Sequence, residues 1–280
     1  MDKTPGWAPR LHRRHLLLGV AALGLAAADA TLVEPRWIQI ERLRVVIPGL
    51  GAAWRGARVV LLSDTHCGPH TPPRHIERAV DMANAQNPDA VLLLGDYVHR
   101  GARYIEPGIA PFSALRATHG VFGVLGNHDH WDGREASLRA LRRANVQLVI
   151  NRSEVLRRGH GELAIGGVGD LMEDRQELHR AFAGCPAHTP RILLSHNPDY
   201  AEQMPPDVRV DLMVSGHTHG GQVHLPLWGA PILPSRYGRK YQQGMVQGPH
   251  CQVYVTRGLS TIWPPVRFLC RPELTVLELA

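Results

Sequence analysis

Cysteine is scarce in this chain: four residues, at positions 67, 185, 251 and 270, with no Cys-x-x-Cys pair among them. That excludes a disulfide framework and a thiolate zinc knuckle. A strong excess of one charge is also missing. Lys plus Arg is 31 against 25 Asp plus Glu, and a net charge of +6 spread along 280 residues does not point to nucleic acid as a partner. No internal repeat or low-complexity linker interrupts the chain, and only one apolar run approaches membrane-spanning length. With 44% apolar and 20% charged residues, the composition excludes a disordered chain, a coiled coil and a collagen-like repeat. Histidine is what the chain has in abundance, 17 residues, and histidine is the commonest metal ligand.

The one apolar run lies at the N-terminus. Arg13 and Arg14 precede 13 uncharged residues, 16–28, and Ala28-Asp29-Ala30 places small residues at both critical positions of a cleavage tripeptide. This is the order of a secretory signal, and the paired arginines followed by Leu16 and Leu17 resemble a twin-arginine signal. Residues 1–30 are therefore expected to direct export by the twin-arginine route, with its translocase as partner. The destination is the periplasm, the cell envelope or a membrane tether. A membrane span takes about 20 apolar residues, so this run is short for one, yet an uncleaved signal still tethers. Residues 31–280 read as one domain.

Within that domain, 37–47 alternates apolar and polar residues as a half-buried strand does. Short continuous apolar runs at 57–62, 90–94, 121–125, 192–194 and 211–214 suit strands buried on both faces. Apolar residues at 76, 79, 80 and 83 predict a helix over 73–86, stopped by Asn87-Pro88-Asp89. A second helix is expected over 109–117, and strands again at 251–255 and 274–279. The class is α/β.

Each buried run ends in the same way. Residues 57–62 lead into Asp64-Thr-His66, 90–94 into Gly95-Asp96, and 121–125 into Gly126-Asn127-His128-Asp129. Residues 192–194 lead into Ser195-His196, and 211–214 into Gly216-His217-Thr-His219. An Asp after a strand is commonly a turn or a helix cap, but five successive ends rich in ligand types are not explained that way. In open α/β sheets, ligands bind at the carboxyl ends of strands. The donors suffice for two metal ions: Asp64, His66 and His219 for one, Asn127, His196 and His217 for the other, and Asp96 between them. Two ions about 3.5–4 Å apart hold a hydroxide and clamp an in-line displacement at phosphorus. Carboxylate, imidazole and amide donors suit divalent Mn, Fe or Zn.

These motifs resemble the calcineurin-like metallophosphoesterase family over residues 57–222. The resemblance implies a four-layer α/β/β/α sandwich around two central mixed β-sheets. It also assigns His128 as a non-ligand histidine near the leaving group, with Asp129 orienting it. Leu194-Ser-His196-Asn-Pro-Asp199, the stretch from Ser215 to Gln222, and Arg257-Gly258 with Pro265, Arg267 and Pro272-Glu273 are similar to a YkuE/YaeI-like bacterial subgroup. That implies phosphodiesterase action on a cell-envelope phosphoester, the substrate being a phosphoester or diphosphate, lipid- or cell-wall-linked. The alternatives are a UDP-2,3-diacylglucosamine-type pyrophosphatase of lipid A synthesis, or a non-catalytic metal-binding scaffold. The scaffold is disfavoured because Asp96 and the Asn127-His128 pair are intact. Weaker expectations place His130 and Trp131 at the pocket mouth and Cys67 packed under its loop. His224, Lys240 and Arg267 are phosphate-binding candidates, and His70, His75 and His99 are expected to be structural or exposed.

Overall fold

A computed structural model describes residues 13–280. The beginning of the expected signal, residues 1–12, lies outside the described residues. From Arg13 the chain forms α1 (Arg13–Ala28). This helix continues to Arg36, giving 23 residues over Arg14–Arg36 whose most apolar stretch of 18 residues has mean hydropathy 2.1 and no burial. It is longer than the 13-residue run because Ala30, Leu32 and Val33 carry apolar character past Asp29.

The domain is built on two six-stranded sheets. Strands β1 (Gln39–Val45), β2 (Arg58–Leu62), β3 (Ala90–Leu93), β4 (Val121–Gly123) and β5 (Gln147–Leu148) belong to the first sheet. The second contains β6 (Arg152–Arg158), β7 (Gly161–Gly167), β8 (Arg191–Leu194), β9 (Leu212–Ser215), β10 (Gly244–Gln247) and β11 (Gln252–Val255). The last strand, β12 (Glu273–Leu279), returns to the first sheet, whose order is β1-β12-β2-β3-β4-β5; the other runs β10-β11-β9-β8-β7-β6. Both are mixed. β2, β3, β4 and β5 are parallel neighbours, with β12 antiparallel to β2. β7, β8, β9 and β11 are parallel, with β6 and β10 antiparallel at the edges.

Apolar faces of the two sheets meet in a layer in which Val59, Leu61, Leu92 and Leu94 pack with Ile165, Ile192, Leu194 and Val214. Each such side chain contributes about 1.5–3 kcal/mol on burial. Outside the first sheet lie α2 (Pro73–Asn84), α3 (Ile105–Ile109) and α4 (Asn127–Arg143). α2 buries Ile76, Ala79, Val80 and Ala83, the stripe that its apolar spacing predicts. Beyond the second sheet the helical layer is thin: α5 (Leu178–Ala181) and a single turn at Pro198–Glu202.

The fold is the expected two-sheet sandwich with flanking helices, but three details differ. The helix expected over 109–117 lies earlier, as α3 followed by a tight turn over Ala110–Ala114. Gly108 packs against Cys67, where a Cβ would collide, and this contact pins the segment. α4 was hidden because its first turn is the Gly126-Asn127-His128-Asp129 motif; its axis breaks at Gly133, at φ 146°. The β6–β7 hairpin carries mostly polar residues on β6 and glycines on β7, so neither strand shows a clear period.

Candidate metal centre

The strands that feed the site are parallel neighbours in each sheet, β2, β3 and β4 in one and β8 and β9 in the other, so their carboxyl ends converge. The turns beyond them are unusual. Asp64, His66, Asp96, His217 and His219 all have positive φ, between 38° and 70°. Such conformations cost an L-residue about 1–3 kcal/mol and cluster at functional sites. Two glycines allow the loops to close. A Cβ on Gly126 would fall on the Asp96 carboxylate, and one on Gly216 on Ser63 Oγ and Asp64 Oδ2.

The resulting geometry gathers six of the seven expected donors into two groups, and Asn127 lines the same cleft as Asp96 and His217. Asp64, His66 and His219 form one buried group with ligand atoms within 4.8 Å of one another, and Asp96, His196 and His217 form a second. In the first, His66 Nε2 lies 3.1 Å from His219 Nε2, and Asp64 Oδ1 is 3.5 Å from His219 Nε2. In the second, His217 Nδ1 is 3.3 Å from His196 Nε2. Asp96 Oδ2 joins the two, 3.5 Å from His66 Nε2 and 3.2 Å from His196 Nε2. The Leu94 carbonyl accepts a hydrogen bond from His196 Nδ1 at 2.8 Å, so Nε2 is the nitrogen that turns to Asp96 and would face an ion once its proton is released. Asn127 Oδ1 is buried and has no hydrogen-bond partner, which fits an oxygen that donates its lone pair to a cation.

The electrostatics fit a cation as well. Burial pushes His66 and His219 well below the ordinary histidine range and His217 down to about 3, so three imidazoles are neutral and able to ligate. Burial lifts Asp64 to about 6, partly opposed by His196. Burial would also raise Asp96, yet His196 and His66 hold it well below the carboxylate range. His196 is driven to about 10: burial opposes its charge, but Asp96 outweighs that. Its proton therefore balances Asp96 where a divalent ion would do so.

His128 is half-buried at the edge of this centre. Its backbone N–H donates to Asp96 Oδ1 at 2.9 Å, and its Nδ1 lies 3.1 Å from His99 Nδ1. Asp129 does not orient it, and that expectation is corrected. Its carboxylate instead accepts N–H bonds from Gly126 (2.9 Å), Asp96 (2.8 Å) and Tyr97 (2.9 Å). Asp129 therefore braces the loop after β3 against the loop after β4, with every bond directed to backbone that sequence does not display. Burial lifts its carboxyl to about 8, against the pull of those N–H donors.

Of the weaker expectations, Cys67 packs in the core, and burial raises its thiol to about 11. Trp131 lines the cleft, whereas His130 is absent from its lining. The phosphate-binding candidates are displaced. Arg267 is fully buried and donates to the backbone carbonyls of Ser260, His219 and Cys270. His224 bonds to Gly220 O and Gln242, while Lys240 pairs with Glu202 at the surface.

Three residues near the centre were missed. His99 shares a group with His66 and His128; its place three residues after Asp96 was the available signal. Asp170, just past β7, is buried with Oδ2 unpartnered and acts electrostatically on His196. Arg236 lines the cleft beside Asp96, Asn127, His128 and His217. That cleft has a volume of about 730 Å³, and Trp131, Leu171, Met172 and Ile262 give it apolar walls.

The Calcineurin-like phosphoesterase family profile matches residues 57–221. Phosphodiesterase YaeI of Escherichia coli is 32% identical over 253 residues, covering 88% of this chain and 90% of that protein. YkuE of Bacillus subtilis, an uncharacterized metallophosphoesterase, is 31% identical over 283 residues, 96% of this chain and 98% of that one. A Danio rerio transmembrane protein with a metallophosphoesterase domain is 30% identical over 279 residues, 94% of this chain but 61% of its own length.

Proposed function

The chain belongs to the calcineurin-like phosphoesterase family and is a metal-dependent phosphoric ester hydrolase, and we propose that it cleaves a phosphodiester at the membrane face of the cell envelope. The centre would take two divalent ions from the set Mn, Fe and Zn: Asp64, His66 and His219 would hold one, Asn127, His196 and His217 the other, with Asp96 shared. The observation that carries this reading is Asp96 Oδ2, within 3.5 Å of His66 Nε2 and 3.2 Å of His196 Nε2. When bound, such ions supply Lewis acidity toward phosphoryl oxygens and a nucleophile at neutral pH.

The chain's own residues do the rest. Asp96 holds the two ligand groups in register and fixes the His128 backbone. With Nδ1 of His128 facing His99, its Nε2 remains to give a proton to the departing oxygen. Arg236 lines the cleft and is the cation we assign to a non-bridging phosphoryl oxygen. The apolar walls accept an organic group on the phosphorus, which favours a diester over a small monoester. The apolar helix up to Arg36, with relatives that include a transmembrane protein, supports an exported, membrane-tethered enzyme.

The test is a panel of phosphodiesters and phosphomonoesters on protein of measured metal content. Diesters should turn over faster, and about two ions per chain should be bound. Asp96→Asn should lower both occupancies together. A single tight ion, indifferent to Asp96→Asn, would reject the shared-ligand arrangement.

A further inference from the structure

A second cavity, of about 820 Å³, lies away from the metal cleft at the foot of the N-terminal helix. Arg36, Arg74 and Arg78 line it with His70, His75 and Trp263, and no carboxylate is among its lining residues. Beside it the Arg100 guanidinium stacks over the Trp263 ring at 5.6 Å. Among the described residues, none of these four arginines forms an ion pair, whereas Arg143, Arg157 and Arg158 each meet a carboxylate. Unpaired guanidiniums gathered around one cavity favour an anion, and their planar forks match phosphate oxygens.

The cavity is fixed in place by the helix foot. Ala30 O accepts the Arg267 N–H at 2.9 Å, and the buried Glu34 carboxylate accepts the N–H groups of Leu269 and Cys270. Arg36, the last residue of the apolar helix, donates through Nη1 to the carbonyls of Thr31 and Leu32, and Arg78 Nη1 donates to Arg36 O at 3.3 Å. Trp37 and Trp263 stay 51% and 63% exposed next to these cations. Exposed indoles beside arginines at the end of an apolar helix form the pattern of a membrane interface.

We propose that this cavity binds the phosphate of an anionic phospholipid headgroup and docks the catalytic domain onto the bilayer. The inference rests on the reading of the helix as a membrane tether, because that reading sets the cavity at headgroup depth. One chain segment walls both sites: Thr261 and Trp263 face this cavity, and Ile262 faces the metal cleft. A docked headgroup therefore also holds one wall of the cleft.

Full-length protein in neutral detergent is titrated calorimetrically with dioctanoyl phosphatidylglycerol, dioctanoyl phosphatidylcholine and inorganic phosphate. Phosphatidylglycerol should bind in preference to the other two. Arg74→Ala combined with Arg78→Ala, both at exposed positions of α2, should weaken that binding roughly thirtyfold. Hydrolysis of a soluble nitrophenyl diester by this variant should be unchanged. Equal binding of phosphatidylcholine, or binding of free phosphate as tight as that of the lipid, overturns the proposal. So does phosphatidylglycerol binding that survives the arginine changes but vanishes with His217→Ala, since the lipid then sits in the metal cleft. An alkaline wash of membranes separates the two readings. A chain that washes off removes the tether and the reason to prefer lipid. A tethered chain whose binding ignores the arginines removes the headgroup site alone.

Discussion

Asn127 and His128 are adjacent and have different surroundings. Asn127 is buried with its amide oxygen unpartnered, while His128 is half-buried, its ring against His99 and Trp131. His128→Ala should therefore leave metal content intact and cut turnover roughly 10²–10⁴-fold if the ring acts as general acid. The loss should be small for a nitrophenyl ester, whose leaving group hardly needs a proton, and large for an alkyl diester. Loss of metal, or equal slowing of both substrates, would show that His128 is not the proton donor. At this scale the ligand-type residues were legible because they stand at the ends of recognisable strands. Asp129 was misassigned because its partners are backbone N–H groups. His99 was passed over because its neighbours at the site, His66 and His128, are distant in sequence.

Among the elements, the buried parallel strands were the most legible, since Val59 to Leu62 and Ala90 to Leu93 are continuous apolar runs with no polar face to confuse the period. β7 was illegible for the opposite reason: its glycines and single Glu162 break any pattern, and so the sixth strand end, with Asp170, was missed. The N-terminal helix was read as an address from its composition, but its attachment through Ala30 and Glu34 to the loop at 267–270 depends on tertiary contacts. If the paired arginines are read by the twin-arginine translocase, Arg13→Lys with Arg14→Lys should hold the protein in the cytoplasm. Cell fractionation checks this, and an unchanged distribution would favour the general secretory route or simple tethering.

Over the whole molecule, the two sheets place their parallel strand ends at one seam, which concentrates ligands and also concentrates charge. Asp64 and Asp96 are 0% and 2% exposed, and a buried carboxylate without compensation destabilises the fold. In this arrangement His196, 3.2 Å from Asp96 Oδ2, supplies a balancing charge, whereas two divalent ions would neutralise both acids and give Asn127 Oδ1 a partner. Loops from both sheets would then be joined through shared ligands, so metal binding is linked to global stability. Each ion present at 100 times its dissociation constant adds about 2.7 kcal/mol, so two add about 5 kcal/mol. At roughly 2–4 °C per kcal/mol for a chain of this size, chelation should lower Tm by about 10–20 °C. Differential scanning calorimetry with and without chelator, followed by back-titration, measures the shift. Asp96→Asn removes one buried charge and the shared ligand together, so its chelator-induced shift should be smaller than that of wild type. A wild-type Tm indifferent to chelator would mean that the seam is held by protein contacts alone, and that the two ligand groups contribute nothing to joining the sheets.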